Sequence, residues 1–228
     1  MTDNTIRHTH TRFDFETLAQ GYDHWYETAS GKSHDRQQQA AVRRILPFPA
    51  PGSRLLDVGS GTGHWSRFYA SLGFHVIAVD LARRMIQQAC SHEKEECLFG
   101  IADAYSLPFD DATFDVVSAM AVVEFVPSAE AVVAEMFRCV RKGGAVLVGT
   151  LNRLATLNRN RVEEGKEPYA SARLFSPAEL QDLLHPYGAV DMRVGDPGAN
   201  DDESGAFAVA MVRRQYRHAV AEKSHLAG

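Results

Sequence analysis

The distribution of apolar positions divides the chain into two regimes. Up to about residue 51 the pattern is polar with aromatic clusters. The stretch FDFETLAQGYDHWYETASG, starting at Phe13, reads as aromatic-rich turns and a helix. A second helix runs from about Ser33 to Leu46, where Pro47, Pro49 and Pro51 stop it. From Gly52 onward, short apolar runs alternate with amphipathic stretches. Residues 54–58, 74–79, 96–101, 114–120 and 145–151 read as buried strands, and residues 64–72 and 82–91 as helices. Between 129 and 141 the apolar residues Val132, Val133, Met136, Phe137 and Val140 fall at helical spacing, and Lys142-Gly143-Gly144 predicts a basic last turn followed by a glycine stop. Ser176-Pro177-Ala178-Glu179 carries a serine cap, proline at the first helical position and glutamate at the third. That helix is expected to end near residues 186–188, before two more strands at 190–194 and 206–213. Strands alternating with helices imply a mostly parallel α/β sheet covered on both faces.

Composition narrows the class further. The chain has 228 residues, of which 45% are hydrophobic and 23% charged. That balance predicts a single folded domain with a sizeable core, needing neither disulfides nor structural metal. A formal charge of -5 argues against a general nucleic-acid binder. Cys90, Cys97 and Cys139 form no CxxC pair and read as free thiols. The longest apolar run, 116–123, is bounded by Asp115 and Glu124. A spanning helix needs roughly 20 apolar residues, so no membrane span is expected. The polar start MTDNTIRHTHTRFDF lacks the apolar stretch of a signal peptide, and a cytoplasmic location is expected.

The most informative stretch is Leu55-Leu56-Asp57-Val58-Gly59-Ser60-Gly61-Thr62-Gly63, a buried strand running into three alternating glycines with a helix directly behind. Glycines permit the turn and let a ligand approach the backbone closely. The spacing is GxGxG, unlike the GxGxxG that seats a pyrophosphate on a helix N-terminus. Asp57 adds a carboxylate that repels a diphosphate and favours a cationic, amino-acid-like ligand. The next strand ends in Asp80, close to the spacing at which an acidic residue accepts ribose hydroxyls. The same aspartate could instead cap the following helix.

LLDVGSGTGHWS, VIAVDLARRMI, GIADAYSLPFDDATFDVV and VRKGGAVLV, in this order, resemble the successive motifs of class I S-adenosylmethionine-dependent methyltransferases. The resemblance covers residues 54–151 and is nearest to small bacterial members acting on small molecules. It implies a seven-stranded, mostly parallel Rossmann-like sheet of order 3-2-1-4-5-7-6 with the last strand antiparallel. It also implies site roles. Gly59, Ser60 and Gly61 would pass under the methionine moiety, with Asp57 near its ammonium. Asp80 would bind both ribose hydroxyls, while Leu81 and Met85 would contact the adenine. Asp103 would bond the adenine amino group, with the Ala104 backbone alongside. Ala119, taken to lie just past the fourth strand, would line the channel near the sulfonium. Tyr22, in Gly21-Tyr22-Asp23, would close over the cofactor.

By this reading residues 1–51 are an N-terminal helical cap, 52–215 the S-adenosylmethionine-binding domain with a lid at 152–175, and 216–228 a tail. The acceptor is expected to be a small molecule, with no nucleic-acid, membrane or metal partner, in a monomer or homodimer. Glu124 and Tyr22 are the candidates for a general base, Glu124 being equally readable as a solvated or capping glutamate. His64 reads as a first-turn helix residue near the cofactor, and His8 and His10 as part of a mobile arm. Trp25 and Tyr26 read as a hydrophobic cover or a wall of the acceptor pocket. Arg153, Arg159, Arg161, Lys166 and Arg173, set against Glu163, Glu164 and Glu167, read as a salt-bridged surface or as a site for an anionic acceptor. Two other classes share the cofactor motifs: a non-catalytic S-adenosylmethionine-binding protein and a nicotinamide-dependent oxidoreductase.

Overall fold

The computed structural model describes residues 10–92, 97–195 and 205–215. Its strands are β1 (Arg54–Val58), β2 (His75–Asp80), β3 (Cys97–Ile101), β4 (Phe114–Met120), β5 (Val140–Leu151), β6 (Val190–Val194) and β7 (Phe207–Arg213). They form one seven-stranded sheet in the order β3-β2-β1-β4-β5-β7-β6. Strands β1 to β5 pair in parallel, and β7 runs antiparallel to both β5 and β6. The helices are α1 (His24–Glu27), α2 (Ala29–Ile45), α3 (His64–Ser71), α4 (Arg83–Ser91), α5 (Ala129–Cys139), α6 (Thr156–Glu163) and α7 (Pro177–Leu184). Among the described residues no helix is long and apolar enough to cross a membrane.

The near-continuous apolar strands follow from burial on both faces. Leu56, Val58, Val117, Val146 and Val148 pack toward α5 and α7, against Val132, Val133, Met136, Leu180 and Leu184. Their neighbours Leu55, Val76, Val116 and Leu147 point the other way, onto Val42 and Ile45 of α2 and Trp65, Phe68 and Tyr69 of α3. The period of two along each strand thus feeds two separate cores. Cys97 and Cys139 are buried, Cys90 is exposed, and no disulfide joins them.

Several boundaries differ from expectation, each for a visible reason. The stretch read as aromatic-rich turns and a helix is two 3-10 turns (Phe15–Thr17 and Ala19–Gly21) followed by the single turn of α1, with the Glu16 and Asp23 carboxylates reaching out to Arg83 N, Arg84 N and Thr62. The second starts at Ala29, not near Ser33, since Thr28 accepts the Gly31 N–H at 2.9 Å and serves as its N-cap. Lys142–Gly144 is not a helix stop. α5 ends at Cys139, and Val140 already pairs with Phe114, so the glycines lie within β5. The third strand is described from Cys97, and Glu96, the proposed tail and His8 lie outside the described residues. The 152–175 stretch contains α6 and a 3-10 turn, Tyr169–Ser171.

The cap on α7 matches its sequence signature. Ser176 Oγ accepts from Glu179 N at 3.2 Å, and Glu179 Oε2 accepts from Ser176 N at 2.7 Å. Ser176→Ala is expected to lower unfolding free energy by about 1 kcal/mol. Urea denaturation should show a lower midpoint at unchanged slope.

Candidate functional site

A cavity of about 550 Å³ opens at the carboxyl end of the sheet, where ligands bind in open α/β sheets. Its floor is the turn behind β1. Gly59 has φ 68°, and a Cβ there would lie 2.4 Å from Val122 Cγ2, so only glycine allows the turn to pass beneath the β4–α5 connection. Gly61 has φ 54°, and a Cβ on it would meet nothing within 4 Å, which leaves open space above the backbone. Asp57, Gly59, Ser60, Gly61, Asp80, Leu81, Met85, Asp103, Ala104 and Tyr22 all line this cavity.

Asp80 ties two turns together. Its Oδ2 accepts from Gly61 N and its Oδ1 from Ala82 N, both at 2.8 Å. Burial raises its pKa, and these amides oppose the shift. Asp80 thus orders the turn leading into α4 without being its N-cap, and it lines the cavity. The N-terminus of α4 is capped from elsewhere: the Glu16 carboxylate accepts from Arg83 N at 2.9 Å and Arg84 N at 2.8 Å.

Asp57 is 1% exposed. One oxygen accepts from Ser66 Oγ at 2.6 Å, while Oδ1 has no partner among the described residues, and neither does Ser60 Oγ. Burial, helped by the neighbouring Asp80 and opposed by Ser66, pushes the Asp57 carboxyl up to about 7. An unpaired buried carboxylate is costly unless a cation meets it.

The N-terminal segment roofs the site. Arg12 N donates to Phe125 O at 2.6 Å, and Thr62 Oγ1 donates to Asp23 Oδ1 at 2.5 Å. His10, read from sequence as part of an arm, reaches the site: its Nδ1 bonds Asp103 Oδ2, and its ring meets Tyr105 edge-on. Asp103 Oδ1 also accepts from Tyr105 N at 2.9 Å. Trp25 and Tyr26 line the cavity. The Tyr26 ring stacks on His64 at 3.8 Å, and His64 Nε2 bonds Asp35 Oδ1 at 2.6 Å. His64 is in the first turn of α3, as its sequence position suggests, but it also orders the aromatic wall. Burial raises the pKa of the Tyr22 and Tyr26 hydroxyls, keeping both neutral.

Two expectations need correcting. Ala119 lies within β4, not past it, and its side chain is wholly in the sheet core. The chain reaches the cavity one step later, at Met120, Ala121 and Val122. Glu124 is neither solvated nor a helix cap. It is 0% exposed, its Oε1 accepts from Leu151 N at 3.0 Å, and it thereby satisfies the amide at the end of β5. Val122 and Leu151 form the wall at this point, and burial pushes the Glu124 carboxyl up to about 7. The Asp23–Thr62 and Asp35–His64 pairs carry no local sequence signal, since 39 and 29 residues separate their partners.

Comparison with known proteins agrees with this geometry. A family model described as "Methyltransferase domain" matches residues 56–148. The malonyl-[acyl-carrier protein] O-methyltransferase of Erwinia pyrifoliae is 34% identical over 124 residues, 54% of this chain and 47% of that protein. This chain therefore spans about half the length of such curated relatives. A Thermotoga maritima structure, described as a S-adenosylmethionine-dependent methyltransferase and possible histamine N-methyltransferase, superposes with a TM-score of 0.72 at 25% identity, over 88% of this chain and 98% of that one. The phosphatidylethanolamine N-methyltransferase of Cereibacter sphaeroides is 33% identical over 142 residues, 59% of this chain and 68% of that protein. The chain belongs to the class I S-adenosylmethionine-dependent methyltransferases. Membership sets aside the nicotinamide reading, in line with the GxGxG turn.

The residues present fit the family's methyl donor. The unpartnered Asp57 Oδ1 suits an ammonium, the space above Gly61 admits a ligand against the backbone, and Asp80 keeps lone pairs for hydroxyls.

The buried carboxyls make stability depend on pH. For Glu124 the folded pKa lies above the unfolded value. Below about pH 4 both states hold the proton; between there and about 7 only the folded state does, so stability falls as pH rises through that window. The loss is about 3 kcal/mol for a shift of this size. Glu124→Gln should show a smaller drop in urea midpoint from pH 5 to pH 8 than the wild-type protein. An equal drop would assign the dependence to other groups.

Proposed function

We propose that this protein transfers the methyl group of S-adenosylmethionine to a small-molecule acceptor enclosed by the N-terminal segment and the 152–175 lid. The observation that carries the reading is the Asp57 oxygen, buried, unpartnered and on the wall of the same cavity as Asp80. When bound, the donor supplies a methyl on a positively charged sulfur, whose bonding pair stays with sulfur to leave the neutral thioether S-adenosylhomocysteine as an acceptor lone pair forms the new bond.

The chain's own contribution is binding, orientation and exclusion of water. Asp57 pairs with the donor's ammonium, while the Gly59–Ser60–Gly61 backbone passes under its methionine part. Asp80 accepts from the ribose hydroxyls, and Leu81 and Met85 hold the adenine between apolar surfaces. Asp103, steadied by His10 and the Tyr105 amide, accepts from the adenine amino group beside Ala104. Tyr22 closes over the donor from the N-terminal side. Residues 1–51 act as a cap on the catalytic domain of 52–215. Alignment of an already activated methyl with its acceptor is worth roughly 7–11 kcal/mol, so no dedicated nucleophile of the protein is required. A closed roof adds to this by keeping water out.

Two measurements test the reading. Asp80→Ala should weaken S-adenosylhomocysteine binding by about 1.5–3 kcal/mol, roughly ten- to a hundredfold. Unchanged affinity by calorimetry in a folded variant would remove Asp80 from the ribose site. Asp57 gives a pH signature, because the ammonium favours its ionised form while the free site holds a proton up to about 7. Affinity should therefore rise by as much as about tenfold per pH unit below 7 and level off above it. Asp57→Asn should bind weakly with that slope gone.

A further inference from the structure

The lid cations divide into two groups. Arg153 pairs with Glu179 at 3.0 Å, Arg159 bonds Thr156 Oγ1 at 3.2 Å, and the Arg173 guanidinium lies over the Phe175 ring at 5.3 Å. These three are occupied in structural contacts. Arg161 and Lys166 instead line the cavity, and neither forms an ion pair among the described residues.

Arg161 is held in position without being neutralised. Its guanidinium carbon lies 4.4 Å from the Tyr169 ring centroid, and its Nη1 donates to Asn158 Oδ1 at 3.3 Å. Asn158 is a fixed post: it is 0% exposed, and its Nδ2 donates to Asn152 O at 2.9 Å and Ala206 O at 2.7 Å. Lys166 is brought beside Arg161 by its amide, which donates to Arg161 O at 2.9 Å. The adjacent Glu167 carboxylate is engaged by Ser171 Oγ at 2.8 Å. A guanidinium has five N–H donors in a planar fork, and among the described residues Arg161 uses one of them, to Asn158. Such a fork matches the oxygens of a phosphate or carboxylate. The other wall carboxylates are engaged elsewhere: Asp14 accepts from Glu16 N, Glu16 from Arg83 N and Arg84 N, Asp57 from Ser66 Oγ, Asp80 from Gly61 N and Ala82 N, and Asp103 from Tyr105 N, and none pairs with Arg161 or Lys166 among the described residues.

The geometry points to an oxyanion subsite formed by Arg161 and Lys166, so that the methyl acceptor is a small molecule with an apolar or aromatic body and a phosphate or carboxylate group. Trp25, Tyr26 and Tyr169, which share the cavity wall, receive the body. The inference rests on the methyl-transfer reading only for the word acceptor; the subsite itself is a binding claim.

The test uses the full chain saturated with S-adenosylhomocysteine and titrated with phenyl phosphate, benzoate and neutral phenol. Phenyl phosphate or benzoate should bind at least tenfold tighter than phenol, with the advantage shrinking as salt is added. The tighter of the two anions identifies the oxyanion. Arg161→Gln should weaken the preferred anion tenfold or more, and Lys166→Gln threefold or more, while S-adenosylhomocysteine affinity stays within twofold. That retained affinity shows that a variant is folded, and the surface change Lys166→Gln supplies the test if Arg161→Gln does not fold. Anions binding no better than phenol, or equally well to wild type and Lys166→Gln, would overturn the subsite. Failure of S-adenosylhomocysteine to bind the wild-type chain would instead overturn the methyl-transfer reading, and the same anion titration without it would still decide the subsite.

Discussion

The Asp80 carboxylate is the point at which fold and site become one problem. β1 and β2 are parallel neighbours, so their carboxyl ends emerge side by side, and each must turn away into a helix. Two turns leaving one edge expose backbone amides that need acceptors. Asp80 supplies them, accepting from Gly61 in the first turn and Ala82 in the second. The position of each turn is thereby referred to the other, and both to the sheet. β4 pairs on the opposite side of β1, so the connections diverge at this strand and leave a crevice above it.

What closes the crevice is a set of polar clasps together with a small apolar cluster, in which Phe15, Leu18, Ala19 and Tyr22 of the N-terminal segment pack on Ala82 and Met85. Glu16 caps α4, Asp23 accepts from Thr62, His10 meets Asp103, and Arg12 is bonded to the 125–127 backbone. Hydrogen bonds of this kind contribute about 1 kcal/mol each, against the several kcal/mol of a packed apolar face. The segment so attached covers the crevice from the N-terminal side. The aromatic side chains carried on it, Tyr22, Trp25 and Tyr26, then become cavity wall.

The two buried carboxylates have different work to do although burial raises both. Glu124 satisfies the amide at the end of β5, and its backbone carbonyl accepts from Arg173 N, so it joins β5 to the 152–175 stretch from behind the wall. Each keeps one oxygen without a partner among the described residues, Glu124 Oε2 and Asp57 Oδ1, but of the two only Asp57 lines the cavity. A buried polar atom left unsatisfied in the free protein marks where a ligand can contribute most, because the desolvation cost has already been met by folding.

Much of this was legible in the sequence. The period-two apolar runs, the glycine turn after Asp57, the Asp80 that ends β2 and the Ser176–Glu179 box are signals written within a few residues, because backbone conformation and strand burial are decided locally. The strand order came from resemblance, and the sheet agrees with it. Ala119 and Met120 differ by a single residue, yet the first is core and the second lines the cavity, a distinction that the apolar run 116–123 does not mark. Glu124 looked equally plausible as base or surface residue, since nothing beside it in sequence reveals the Leu151 amide it serves. The Asp35–His64, Asp23–Thr62 and His10–Asp103 contacts, and the sorting of lid cations into paired and unpaired, were decided only by tertiary structure. These contacts join segments far apart along the chain, and their existence depends on how separately formed elements dock, which no short stretch of residues encodes.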